Sequence, residues 1–284
     1  MQSFKINFFV LAFLATALVY AKDVYQLDCV AAKVKEHAKQ YNHEDILVLF
    51  DINGTLTKPT DMPAWDKNIK FYSSNFKDII PKFPGIDHMK FQAAVTSLPA
   101  SLIHKQAVSI VSSLQDSGVM VLGLVKGKTG YVDGYGRLEH IRYEKLKNLG
   151  IDFSKNKTFE KFGIYPKFLD FRLTNAPRFN GNFPVIYKGI INSNSNKNKS
   201  LSKGAVLVAF LKSTGLRPRS IIMVDDKQAN LESVEKHVKS HLPETKFTGL
   251  RIRTKESSKN APMNAQLFEK FWRELVERAL SRSN

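Results

Sequence analysis

Two short apolar runs, each ending on an aspartate, set the strongest limit on the fold. Asp45–Phe50 (DILVLF) runs into Asp51, and Ser220–Val224 (SIIMV) runs into Asp225. Neither run alternates with polar residues, which is the pattern of a strand buried on both faces. Such strands belong to parallel sheets, and parallel neighbours need long crossover connections, usually helices. The rest of the chain supplies them. Val119–Val125 (VMVLGLV) and Lys246–Ile252 read as further strands, and Phe183–Ile191 contains another extended segment. Ser101–Ser117, Leu138–Asn148, Ser202–Thr214 and Ala229–His237 read as helices, with Gly118, Gly150 and Gly215 as stops. The alternation predicts an α/β fold, a Rossmann-like parallel sheet flanked by helices.

Three segments stand outside that alternation. Residues 58–99, with Trp65 and several Phe and Tyr, form an insertion long enough for a small cap over the active-site end of the sheet, or add plain core. Asn192–Ser200 (NSNSNKNKS) is polar and of low complexity and predicts a mobile loop. Gln266–Leu280 carries Leu267, Phe268, Phe271, Trp272, Leu275, Val276 and Ala279 on one helical face, which is expected to pack on the sheet.

The first 21 residues have the layout of a secretory signal peptide. A basic start to Lys5 precedes the apolar run Ile6–Val19, and Val19-Tyr20-Ala21 supplies a cleavage site. An uncleaved anchor is the alternative. No later stretch reaches the ~20 apolar residues that span a bilayer, so residues 22–284 are expected as one exported domain, periplasmic or secreted. Cys29 is the only cysteine, which excludes an internal disulfide. The formal charge of +17 attracts phosphates, nucleic acid or anionic surfaces. The basic residues are dispersed and no nucleic-acid motif accompanies them.

The chemistry sits at the strand ends. Asp51, in Asp51-Ile52-Asn53-Gly54-Thr55, points into the crevice where such sheets bind ligands and can attack phosphorus. Thr55 can hydrogen-bond a phosphate oxygen. The adjacent acids Asp225 and Asp226 repel unless a cation or solvent separates them, and Mg²⁺ suits carboxylate oxygens. Lys203-Gly204 opens a helix, a position that favours an anion.

These three motifs in this order resemble the haloacid-dehalogenase-like (HAD) superfamily. The resemblance also rests on Leu138–Ser154 (LEHIRYEKLKNLGIDFS), Tyr187–Ile191 (YKGII) and Thr214–Val234 (TGLRPRSIIMVDDKQANLESV). It looks closest to exported proteins of uncharacterised function from Gram-negative, partly intracellular bacteria. It implies a cap insertion, Asp51 as nucleophile, Lys203 as phosphate ligand, and Mg²⁺ held by Asp51, the Asn53 carbonyl, Asp225 and Asp226.

Two positions depart from that pattern. Asn53 stands where the phosphatases carry an Asp that serves as general acid and base. Val125 stands where a Ser or Thr hydroxyl meets the phosphate; Lys126 or Lys128 could bring charge nearby. Losing the acid–base group costs roughly 10²–10⁴-fold, and losing one electrostatic donor roughly 10²–10³-fold. The sequence therefore supports three readings: a protein that binds Mg²⁺ and a phosphorylated small molecule or phosphate-bearing surface with little turnover, an active phosphatase or phosphotransferase for activated phosphates, or a non-catalytic interaction protein.

Overall fold

The computed structural model describes residues 22–72, 83, 86–156, 170–179, 181–195, 201–253 and 263–282. The leader expected over 1–21 lies outside the described residues, as do 196–200 of the expected loop and parts of 58–99. In chain order the elements are β1 (Lys22–Val24), α1 (Asp28–His37), β2 (Ile46–Phe50), β3 (Thr57–Pro59), α2 (Asp66–Phe71), α3 (His88–Thr96), β4 (Ala100–Leu102), α4 (Ala107–Asp116), β5 (Met120–Val125), β6 (Tyr131–Val132), β7 (Gly136–Arg137), α5 (Leu138–Asn148), β8 (Asp170–Arg172), β9 (Val185–Tyr187), β10 (Ile190–Asn192), α6 (Lys203–Thr214), β11 (Ser220–Asp225), α7 (Gln228–His241), β12 (Lys246–Ile252) and α8 (Ala265–Ser281).

Eight strands form the main sheet in the order β1-β12-β11-β2-β5-β10-β9-β8. From β1 to β10 all neighbours pair in parallel, and β9 pairs antiparallel with both β10 and β8. Numbered by succession, β10-β5-β2-β11-β12 is the order 3-2-1-4-5 of Rossmann-like sheets, which places the switch in connection direction between β2 and β11. Asp51 follows one of these strands and Asp225 ends the other.

Period-two alternation divides the core into two layers. Ile46, Val48 and Phe50 of β2, Val121 of β5, and Ile222 and Val224 of β11 face α1, α4 and α5. Leu47 and Leu49, Met120, Leu122 and Leu124, and Ile221 and Met223 face α6 and α7. Both faces are covered, so the strands read as continuous apolar runs. Gly215, at φ +71°, ends α6 in the left-handed conformation that glycine adopts without strain.

The structure corrects three expectations. The helix predicted from Ser101 begins at Ala107, because Ala100–Leu102 pairs instead with Thr57–Pro59. The polar run from Asn192 is not loop throughout: Asn192 closes β10, and Ser193 and Asn194 are buried. The amphipathic α8 does not cover the sheet. Phe268, Trp272, Leu275, Val276 and Ala279 pack with Ala64, Phe91, Ala94 and Leu98 of the 58–99 insertion in a separate small core. Its rings meet at close range, Phe91 and Trp272 at 5.9 Å between centroids. A helical stripe requires an apolar partner without specifying which one.

Candidate functional site

The β2–β11 ladder runs one residue past β2, where the Asp51 N–H donates to the Val224 carbonyl at 2.9 Å. This fixes the Asp51 backbone at the carboxyl end of the sheet. The chain then turns back within a few residues, with Leu56 and Thr57 N–H both donating to the Ile52 carbonyl. Gly54 takes φ +88°, and a Cβ there would lie 2.8 Å from Asp226 Oδ2. Glycine is thus required both by the backbone and by the approach of the second acid. Thr55 is buried. Its hydroxyl donates to Asp51 Oδ2 at 3.2 Å and accepts from the Asp226 N–H at 3.0 Å, joining the two acidic motifs.

Lys203 arrives from the other direction. Ser202 caps α6 by accepting from the Ala205 N–H, and Lys203 is the first helical residue. A Cβ at Gly204 would lie 2.2 Å from the Ser233 carbonyl oxygen, so α6 and α7 meet backbone to backbone here. That close approach seats Lys203, which is completely buried, between two carboxylates. Its ammonium donates to Asp51 Oδ1 and to Asp225 Oδ2, the latter at 2.7 Å.

Asp225 has two further donors. The Lys227 N–H meets Oδ1 at 2.9 Å, and Asn230 Nδ2 meets Oδ1 at 2.9 Å and Oδ2 at 3.0 Å. A carboxylate has about four lone-pair positions, and all those of Asp225 are engaged. Asp226 differs: its Oδ1 is buried with no hydrogen-bond partner among the described residues, as is Asn230 Oδ1.

The charges do not balance. Asp51, Asp225 and Asp226 offer oxygens within 4.8 Å of one another, and Lys203 is the ammonium paired with two of them. Burial pushes the Asp51 carboxyl up to about 7; Lys203 pulls against that and Asp225 adds to it. Burial also raises Asp226, opposed by Lys227 and reinforced by Asp225. Burial alone would discharge Lys203, but Asp51 and Asp225 outweigh it and hold its pKa above the usual lysine value.

The residues therefore fit a hard divalent cation. The donors are oxygens, the cluster carries excess negative charge, and two buried oxygens lack partners among the described residues. Asp51 and Asp226 have acceptor positions to spare, whereas Asp225 positions Lys203 and the loop after β11.

Lys126 lies near enough for Lys203, Asp225 and Asp51 to act on its charge; burial first, then Lys203, lowers its pKa. No ion pair or hydrogen bond engages its ammonium among the described residues. Lys128 is instead committed elsewhere, donating to the Ser195 carbonyl and lying 4.0 Å above the Phe179 ring. Asn53 is exposed, and its backbone bridges to Thr57. Val125 is buried at the end of β5 and presents no hydroxyl. Across the site mouth, Asp66 of α2 forms an ion pair with Lys227 at 2.9 Å.

Asn230, and Thr55 as a bridge between motifs, were not identified from sequence. The available signal for Asn230 was an amide five residues after a strand-end acid, in the first turn of the next helix.

Residues 24–283 match the family described as "Protein of unknown function (DUF2608)". The chain belongs to this family. It is similar to an uncharacterized protein of Rickettsia bellii, 26% identical over 265 residues that cover 90% of this chain and 86% of the relative. An uncharacterized protein of Rickettsia felis is 25% identical over 265 residues, covering 90% and 85%. The DUF2608 match spans both layers of the sandwich, the insertion and α8. No helix among the described residues is long and apolar enough to cross a membrane.

Proposed function

We propose that this DUF2608 protein is an exported, HAD-like phosphohydrolase-fold protein that binds Mg²⁺ and a phosphorylated ligand, with phosphatase turnover that is weak or lost. The observation that carries this reading is the set of three convergent carboxylates with one fully buried lysine between two of them.

Asp51 and Asp226 would hold the cation, which supplies charge neutralisation at a phosphoryl oxygen. A cation beside Asp51 favours its ionised form, the form that can attack phosphorus. Attack forms an Asp51 oxygen–phosphorus bond as the ester oxygen departs with the bonding pair. Lys203 and Lys126 offset the negative charge of the phosphoryl group. Asn53 cannot protonate the departing oxygen, nor can it take a proton from the water that would hydrolyse the aspartyl-phosphate. Alkyl phosphates then turn over slowest, because their leaving groups are strongly basic. Acyl and aryl phosphates need no proton donor, which keeps phosphotransfer from activated donors as the second reading.

The test is a phosphatase assay with Mg²⁺ on the purified protein beside Asp51→Asn, using an alkyl and an acyl phosphate. Slow, Asp51-dependent turnover of the acyl phosphate alone is expected. Calorimetry showing binding of neither Mg²⁺ nor inorganic phosphate would overturn the reading and favour a scaffold role for the basic surface. Export is tested separately by the N-terminal residue of the protein recovered outside the cytoplasm, expected at Lys22.

A further inference from the structure

Ser193 is fully buried just past β10, and its hydroxyl has no hydrogen-bond partner among the described residues. A hydroxyl withdrawn from water in this way destabilises a fold, and the few such groups in native proteins call for an explanation.

The ladder locates this one. Asn192 is level with Val125 in the parallel β5–β10 pairing, and the Ser193 N–H donates to the Val125 carbonyl at 2.9 Å. Side chains alternate between faces. Asn192 accepts from Arg142 of α5, on one face, while Ile191 packs in the layer of α6 and α7, on the other. Ser193 therefore shares the Ile191 face. Asp51 and Asp225 continue the Leu47–Leu49 and Ile221–Met223 rows onto that face, where Lys203 enters. Ser193, Asp51 and Lys203 thus occupy one face and one end of the sheet, with the end of β5 between them. That strand ends in the aliphatic Val125, followed by Lys126.

We propose that the Ser193 hydroxyl, on the face of Asp51 and Lys203, donates to a non-bridging oxygen of the bound phosphate. The proposal rests on the phosphate-binding reading of the site. β2 and β10 are two strand spacings apart, about 10 Å. A tetrahedral oxyanion lying over the end of β5 is then approached by Asp51 from one side and by Ser193 from the other. The unmet hydrogen bond is a cost to the fold that the ligand removes.

Calorimetric titration with inorganic phosphate in saturating Mg²⁺ tests this on wild type, Ser193→Ala and Ser193→Thr. Ser193→Ala should weaken phosphate about ten-fold or more, the size expected for a hydrogen bond to a charged group. Its Mg²⁺ affinity should be unchanged, and its melting temperature equal to or above wild type. Ser193→Thr keeps the hydroxyl on that face and should retain most of the phosphate affinity. Equal phosphate affinity in wild type and Ser193→Ala overturns the proposal alone. A fall in melting temperature in Ser193→Ala, with phosphate affinity lost equally in Ser193→Thr, assigns Ser193 a structural role and overturns it as well. If wild type binds no phosphate in Mg²⁺, the phosphate reading of the whole site fails with it.

Discussion

Asp225 and Asp226 are adjacent in sequence but differ in chemical state. Asp225 is saturated by Lys203, Asn230 and the Lys227 N–H, whereas Asp226 keeps a buried oxygen without a partner among the described residues. The two should respond differently to loss of charge. Asp226→Asn is expected to weaken Mg²⁺ binding at least ten-fold by calorimetry while leaving the melting temperature unchanged or higher. Asp225→Asn should lower the melting temperature, because it removes a charged acceptor from a completely buried lysine; breaking such a pair costs about 3–5 kcal/mol. Equal effects on both measurements would remove the distinction. At Asn53, replacement by Asp would introduce the carboxyl that the proposed mechanism lacks as proton donor and base. It should raise alkyl-phosphate turnover by roughly 10²-fold or more and acyl-phosphate turnover less, measured as initial rates in Mg²⁺. The positions of Asp51, Lys203 and the acid pair were legible in sequence because a strand end or helix start fixes where a side chain is placed. Which acid is saturated was not legible, since that depends on Asn230 and Lys203 arriving from separate segments.

At the scale of elements, the paired apolar runs identified the central strands, because burial on both faces leaves no polar residue in them. The segment after Asn192 was misread for the converse reason. Asn192 is buried because its side chain serves Arg142 and the Val185 and Ile190 carbonyls, and composition does not record such partners. A comparable polar junction holds α1 to the sheet. His37 is 1% exposed, with Nδ1 2.5 Å from Ser220 Oγ and Nε2 3.3 Å from Thr248 Oγ1. Burial, reinforced by the positive charge of Lys246, keeps its pKa below that of a free histidine. In acid the unfolded chain takes up this proton before the folded one. The stability that His37 contributes is therefore complete above about pH 6.5 and declines as the pH falls further. His37→Gln should abolish that dependence, so the melting-temperature gap between wild type and variant should narrow from pH 7.5 to pH 5. A constant gap would show that His37 does not titrate differently in the two states.

For the whole molecule, the division of the apolar core matters most. The sheet and its flanking helices form two large layers, while the 58–99 insertion shares its separate core with α8. Trp272→Ala, which deletes the largest side chain of that core, should cost about 3–5 kcal/mol. Hydrogen exchange should show the loss in α3 and α8, with β2 and β11 retaining their protection; a uniform loss would mean that the two cores unfold as one. The division also sets an order of assembly. The insertion leaves the ribosome well before its packing partner, which is translated some 170 positions after Leu98. At 5–20 residues per second, that is a wait of about ten to thirty seconds. During it Phe91 and its neighbours have no helix to close on, so truncation before α8 would be more damaging than its distance from Asp51 suggests.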